Sequence, residues 1–422
     1  MIALFLFACT TVTNEPDVAG GVRFIDVDLD GLTTSDEVLP FSNSTRTVGV
    51  SGQTLDGQSE PFAYNGWTEL IVRPGRIESV TGATMVTDQW GEDRYYLEAV
   101  DGYVSAEVAF ASSFGDTRVW LSATGSPDGS GDGGTYATGV SDSIHIALPT
   151  IAETQDISEL EMDDPFTSSP LFGEFATIRT DDRDVVVTAM TTKGFWASDL
   201  GDAPGNYSGM FVYTFNKPDG VRVGDRLQLL GGGVQEYVGA TQLSFPLYEP
   251  TPNETLTPPD AAVLNDDDLC ADGRPNNVGL EPYESSLVTV IEGTIPENFK
   301  ETPPGIDSDK DYAQYLEYGQ WPIELPSGCR IYVVSTATAP EFDPVQRAGE
   351  TIGPISGMLS YVRAGGHKWM LLARGPEDLG IAESDHDDGL AGPPWPLPIH
   401  KQHSTPMCEH DHIGDHLSPR KD

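Results

Sequence analysis

Between Gly194 and Phe245 the chain alternates apolar and polar residues with a period of two, and helical spacing does not fit. The runs are Gly194 to Asp199, Gly209 to Asn216, and Val221 to Phe245, with glycine, asparagine and aspartate between them. Side chains at i, i+2 and i+4 of a pleated strand share one face, so these runs read as consecutive antiparallel strands. A stretch of this kind commits the surrounding chain to sheet. With 45 glycines and 32 prolines spread over 422 residues, the expectation is an all-β protein of several domains joined by many turns.

The flanking sequence extends that expectation. From 45 to 125, short runs such as Thr68 to Val72, Ser105 to Phe110 and Thr117 to Leu121 lie between Pro-Gly, Asp-Gly and Gly-Asp turns, the pattern of an Ig-like β-sandwich without a cysteine staple. Residues 126–170 read as a linker; Ile151 to Pro170 holds six acids and no base, with one helical turn near Thr150. The 171–260 segment then carries the three alternating runs. Its Gly224-Asp225-Arg226-Leu227 to Gly233 and Tyr237 has a counterpart in Gly349-Glu350-Thr351-Ile352 to Gly357 and Tyr361, so 261–382 reads as a second barrel of the same kind. The acidic insertion from Pro296 to Gln320 has no place in this scheme.

The order of the three blocks resembles the OB-fold module of bacterial extracellular nucleases. There a Gly-Phe-aromatic block ending in Asp, a Gly-hydrophobic-Phe-Val-Tyr-Thr block and a Val-Gly-Asp strand closing on Glu-Tyr and Thr-Gln-Leu recur in sequence; here they fall at Gly194–Asp199, Gly209–Thr214 and Val223–Leu243. The resemblance implies an OB-like barrel, and Glu281-Pro282-Tyr283-Glu284 resembles a matching entry to the second. It does not extend to the family's catalytic layer. Ser384-Asp385-His386 echoes a tripeptide of that layer, but the α/β chain that would precede it is replaced by the barrels. A ligand-binding or adhesion/scaffold protein without catalysis is therefore expected; a divergent or truncated nuclease-family protein acting on nucleic acid is the alternative.

Charge weighs on the choice of ligand. The 66 acids face 23 bases, no lysine precedes Lys193, and Leu171 to Pro250 holds ten acids and six bases. A protein that neutralises phosphates needs a basic stripe, so no nucleic acid is expected. The candidate ligand-binding residues are Phe195, Trp196, Phe211, Tyr213 and Phe215, on the strands where OB-folds present ligands. Alternation puts Phe211, Tyr213 and Phe215 on one side and Met210, Val212 and Thr214 on the other, and both sides are apolar enough to be the core. If the rings face out, they offer a stacking surface for a neutral or cationic ligand, a glycan among them; a protein ligand stays open.

Three further sites complete the expectation. Leu6-Phe7-Ala8-Cys9 after a short apolar run resembles a bacterial lipobox, so residues 1–8 read as a signal peptide, Cys9 as the lipidated residue and residues 9–44 as a tether at the outer membrane or cell surface. In that tether Asp26, Asp28 and Asp30, the Leu32 carbonyl and Glu37 have the spacing of a calcium loop, against the reading of a solvated acidic turn. Cys270 and Cys329 flank the opening strand of the second barrel and are expected to form a disulfide outside the cytoplasm. The tail from 383 to 422 holds six of the eight histidines with Cys408, is polar and proline-rich, and reads as flexible.

Overall fold

The protein is described from a computed structural model, which covers residues 22–31, 38–89, 91–124, 127, 135–157, 168–237, 239–271, 274–275, 277–298, 308–362 and 368–381. The architecture is all-β. Two sheets of the N-terminal part pack face to face. One orders its strands Phe24–Asp30, Arg46–Leu55, Tyr103–Ala111, Arg76–Val80; the other runs Ile144–Ile146, Gly115–Thr124, Gly66–Arg73, Asp93–Ala99, Thr84–Thr87, with Thr135–Val140 also on Gly115–Thr124. Val48, Val50, Val108 and Phe110 from the first sheet meet Leu70, Val72, Val119 and Leu121 from the second in one buried cluster. The sandwich is wider than its expected limits of 45 and 125. Ile25 and Val27 alternate inward from the supposed tether, and Ala137, Ile144 and Ile146 do so from the supposed linker.

Thr150 then caps a single turn, Ile151–Gln155, through a reciprocal pair: the Glu153 N–H donates to Thr150 Oγ1 at 3.1 Å and the Thr150 N–H to Glu153 Oε2 at 2.8 Å. Ile151 lies in the first barrel's core cluster with Leu171, Val187 and Leu230, so this turn joins sandwich to barrel.

The first barrel has five principal strands: Val185–Met190, Gly194–Asp199, Gly209–Tyr213, Asp225–Tyr237 and Ala240–Thr255. Numbered in that order, 1 pairs with 2 and 2 with 3 antiparallel, 3 with 5 parallel, 5 with 4 antiparallel, and 4 returns to 1 at Val186↔Arg226. This closed 1-2-3-5-4 circuit is the five-stranded arrangement expected of an OB-like barrel. The second barrel repeats it. Leu287–Val290 pairs with Ile355–Val362, that strand with Lys368–Leu372, which lies parallel to Arg330–Val334, itself paired with Gln320–Glu324. Closure comes through Gly293–Thr294, two residues beyond Val290, which meets Glu324.

Trp321, Ile331, Leu359 and Trp369 fill this second interior. The insertion supplies a helix, Ser308–Tyr318, whose Asp311 carboxylate accepts from Arg330 at 3.2 Å and from the Tyr332 hydroxyl at 3.1 Å. Cys270 and Cys329 form the expected disulfide, with Cα atoms 6.1 Å apart and a sequence separation of 59. That separation of Cα atoms lies in the ordinary range.

Candidate functional site

On the third strand of the first barrel Met210 and Val212 point into the core beside Phe195, so the ring-bearing face points outward. Outward does not mean free. Phe195 is fully buried in the barrel core, edge-on to Tyr248 at 5.1 Å, and cannot meet a ligand in this structure. Trp196, at 2% exposure, packs with Ala189 and the partly buried Phe211 against Leu287, Val334, Met358 and Met370 of the second barrel. Its centroid is 4.8 Å from that of Phe211. These rings dock the barrels together, so the expected ligand set loses Phe195 and Trp196 to packing, and Phe211 is half-buried in the same seam.

Beyond the seam the rings continue into solvent. Tyr213 and Phe215 lie 4.6 Å apart, and Phe215 meets Phe245 at 4.9 Å, with interplanar angles of 54° and 49°. Phe215 is 39% and Phe245 68% exposed. Tilted rings of this kind form a curved wall, able to touch a flat ligand from more than one side. Phe245 was absent from the sequence-derived set. From Leu243 in the core and Ser244, buried but turned to the other face, strict alternation turns Phe245 inward. A bulge between Ser244 and Leu247, opposite Gly231 to Gly233, breaks the register and turns it out.

Both exposed phenylalanines sit in the left-handed backbone region, at φ 65° for Phe215 and 50° for Phe245. A bulky side chain adopts this region at a cost of about 1–3 kcal/mol, and such residues cluster at ligand clamps. The Lys193 ammonium holds the bend by donating to the Phe215 carbonyl at 2.9 Å. Burial, then the nearby Tyr237, pushes the Tyr213 hydroxyl above the usual tyrosine range, so it stays protonated and able to donate. Asp199, which ends the first of the three sequence blocks, is taken up structurally: its buried carboxylate accepts from Arg183 at 2.8 Å and from the Gly201 N–H at 2.8 Å.

A second unusual group lies where the barrels join. Glu284 is buried, and its carboxyl accepts from the Thr241 N–H of the first barrel at 3.0 Å and the Tyr361 N–H of the second at 3.4 Å. Burial foremost, then the charges of Glu281 and Glu236, holds its proton well above the usual glutamate range. Tyr207, near Asp156, Glu281 and Glu284, is pushed up to about 12, mainly by burial.

The expected calcium ligands are only partly in view. Asp26, Asp28 and Asp30 occupy alternate exposed positions of the Phe24–Asp30 strand, opposite Gln53, Ser51 and Gly49. Extended chain separates such neighbours by about 7 Å per step, so these three do not converge as a coiled loop would make them. Leu32 and Glu37 lie outside the described residues, as do Cys9 and the tail from 383 to 422. Among the described residues no group of three or more His, Cys, Asp or Glu is placed to hold a metal ion, and no helix is long and apolar enough to cross a membrane.

No family model and no curated protein sequence matches the chain. Among solved structures it is similar to a GH20 exo-β-N-acetylglucosaminidase from Vibrio harveyi (13% identity, 40% of this chain and 25% of that one, TM-score 0.18). It is also similar to dimeric latent PorU from Porphyromonas gingivalis (11% identity, 57% and 24%, TM-score 0.19). A DUF4466 family protein from Parabacteroides merdae gives 8% identity, 53% and 70% coverage and a TM-score of 0.17. The aligned part spans about a quarter of the first two chains. Overlaps this loose carry no functional argument.

Proposed function

We propose that this chain is a non-catalytic binding protein of the bacterial cell surface, lipid-anchored at Cys9, whose first barrel binds a glycan on Tyr213, Phe215 and Phe245. The observation that carries the reading is the exposed ring cluster, two of whose three members hold a strained backbone. Stacking of bases on aromatic rings contributes ~1–3 kcal/mol per base, and the flat face of a sugar can lie on the same rings. What separates the two ligands is charge. With 66 acids against 23 bases, a polyanion meets a net repulsive field from the chain as a whole, whereas an uncharged sugar does not.

Calorimetric titration with a panel of oligosaccharides tests this, comparing the wild type with Phe215→Ala and Phe245→Ala. At least tenfold weaker binding in each variant is expected. Tight binding of single-stranded DNA at about 150 mM salt, lost in Tyr213→Ala, would instead support a nuclease-related protein acting on nucleic acid. The anchor has its own test: Cys9→Ser is expected to release the protein from membrane fractions. Calcium at Asp26, Asp28, Asp30, Leu32 and Glu37 is a subsidiary proposal resting on ligand spacing; it requires the Asp28 to Asp30 end of the strand to coil around the ion, and a calcium titration without heat counts against it.

A further inference from the structure

One sheet of the sandwich parts at its end. Gly66–Arg73 pairs with Asp93–Ala99 from Gly66↔Ala99 as far as Leu70↔Tyr95. Beyond that point Ile71, Val72 and Arg73 stay on Gly115–Thr124, while Asp93 and Arg94 stay on Thr84–Thr87. Where the strands diverge lies a cleft of about 580 Å³, within the range of about 300–1,000 Å³ usual for small-molecule sites. Pro170, Phe172, Gly173 and Glu174, at the entry to the first barrel, line another side of it.

Three arginines line the cleft, Arg73, Arg76 and Arg94, and Arg118 lies directly opposite Arg73 on the neighbouring strand. These are four of the six arginines before Leu171, and no lysine precedes Lys193. Each lining arginine is held by a carboxylate. Arg73 donates to Glu174 at 3.2 Å, Arg76 to Glu78 at 2.9 Å, and Arg94 to Glu69 at 3.3 Å and Asp88 at 3.2 Å. In every pair the cation is the more exposed member. Arg73 and Arg76 are 58% and 66% exposed against 22% for Glu174 and 36% for Glu78, and Arg94 exceeds both its partners. At Arg226 the order is reversed, with Asp184 and Glu254 outside it. In the cleft, then, the carboxylates stand behind the guanidiniums and present them to solvent. Ion pairs this exposed add little stability, and like charges directly opposite across strands oppose it, so the fold does not account for the grouping. Glu174 adds a second mark: burial outweighs the pull of Arg73 and then Arg76, and its carboxyl is held above the usual glutamate range. Among the described residues both bonds of Arg73, to Glu174 and to the Gly75 carbonyl, leave from Nη1, which keeps Nε and Nη2 for a ligand.

We propose that this cleft binds a small ligand through a single carboxylate, taken by Arg73 and Arg76, with an apolar face of the ligand on Phe172. A planar guanidinium matches the two oxygens of a carboxylate with two parallel bonds. Phe172 lines the same cleft with an exposed ring. Glu92 and Asp93, both exposed, line it with the opposite sign, so a ligand carrying further negative groups meets repulsion there. The sugar acids and the free C-terminus of a short peptide share the chemistry required. This site is separate from the ring cluster of the first barrel and does not depend on what that cluster binds.

The test is a calorimetric titration of the full chain with glucuronate, with N-acetyl-alanyl-alanine, with the methyl ester of each, and with citrate. One of the two free acids is expected to bind, its methyl ester at least tenfold more weakly, and the acid that binds identifies the source. Arg73→Gln combined with Arg76→Gln weakens that binding at least tenfold, while Arg23→Gln, exposed and outside the cleft, leaves it unchanged. Arg76→Gln alone keeps the Arg73 tie to the barrel and is expected to weaken binding at least threefold, whether or not the double variant folds. Equal affinity for acid and ester, or an unchanged affinity in Arg76→Gln, overturns the proposal. So does citrate binding more tightly than either acid. If neither acid binds the wild type the proposal falls, whatever oligosaccharides do at the ring cluster.

Discussion

In the first barrel, the third strand turns Phe211 and Tyr213 outward; in the second, the matching positions are Tyr332 and Val334. The match follows from the core, where Val212 beside Leu243 corresponds to Val333 beside Leu371. Strand order is the same, yet the two faces have different fates. Val334 is 4% exposed in the seam between the barrels, and Tyr332 lies under Lys368, whose ammonium is 4.1 Å from its ring centroid, while its hydroxyl donates to Asp311 of the inserted helix. The second barrel's face is thus fully occupied by docking and by its own insertion. The first barrel contributes Trp196 and Phe211 to the same seam and leaves Phe215 and Phe245 exposed beside the half-buried Tyr213. Function on a shared fold is set by what covers the strands, not by their order.

The largest expected effect separates the barrels by their staples. Replacing Cys270 and Cys329 together by serine reopens a loop of 59 residues, and the chain-entropy relation puts the loss at about 4 kcal/mol. Urea unfolding followed by the fluorescence of the variant should show the second barrel weakened by that order while oligosaccharide binding in the folded protein persists. Binding lost along with the disulfide, before unfolding, would mean the two barrels do not divide their tasks in this way.

The joint at Glu284 gives a pH test. Its carboxyl holds a proton more tightly in the folded chain than in the unfolded one, because burial and the charges of Glu281 and Glu236 oppose ionisation. Its contribution to stability is therefore complete below the ordinary glutamate range and is lost as the pH rises through the raised value. Stability measured from acid to neutral pH should fall in the wild type and be flatter in Glu284→Gln, which mimics the neutral carboxyl. An unchanged slope would place the titrating group elsewhere.

Between these comes the seam. Phe211→Ala removes a half-buried ring packed on Trp196 and the second barrel, and about 2 kcal/mol of stability should go with it. Denaturant midpoints for Phe211→Ala and wild type measure this directly, and a change under about 0.5 kcal/mol would show that the seam is not held by these rings.

Much of the fold was legible in the residues themselves. Period-two runs between turn residues marked the strands of both barrels and most of the sandwich, and Cys270 and Cys329 marked a disulfide. Other features were hidden for reasons of geometry. Asp-x-Asp-x-Asp is the spacing of a calcium loop and equally the wet face of a strand; Ile25 and Val27, pointing into the sandwich, decide that Asp26 to Asp30 is extended. On the third strand both faces are apolar because both are covered, one by the barrel core and the other in part by a neighbouring barrel, so alternation alone left the core side undetermined. Phe245 depends on a bulge, which depends on three consecutive glycines across the ladder, and no local pattern around Phe245 carries that information.

The smallest expected effect on stability is also the sharpest test of the contrast between the faces. At Phe245 the backbone is held at φ 50°, which costs a phenylalanine about 1–3 kcal/mol and a glycine almost nothing. Against that relief stand the greater freedom of glycine in the unfolded chain, about 0.5–1 kcal/mol, and a ring contact with Phe215 made mostly in water. Phe245→Gly should therefore leave stability within about 1 kcal/mol of wild type, or raise it, while oligosaccharide affinity drops at least tenfold. That pairing, a stable fold with weakened binding, is the signature of a residue retained for its ligand at some cost to the fold. A loss of about 2 kcal/mol or more, of the size expected for Phe211→Ala, would show that Phe245 is a packing residue and that the first barrel's face is as fully committed to structure as the second's.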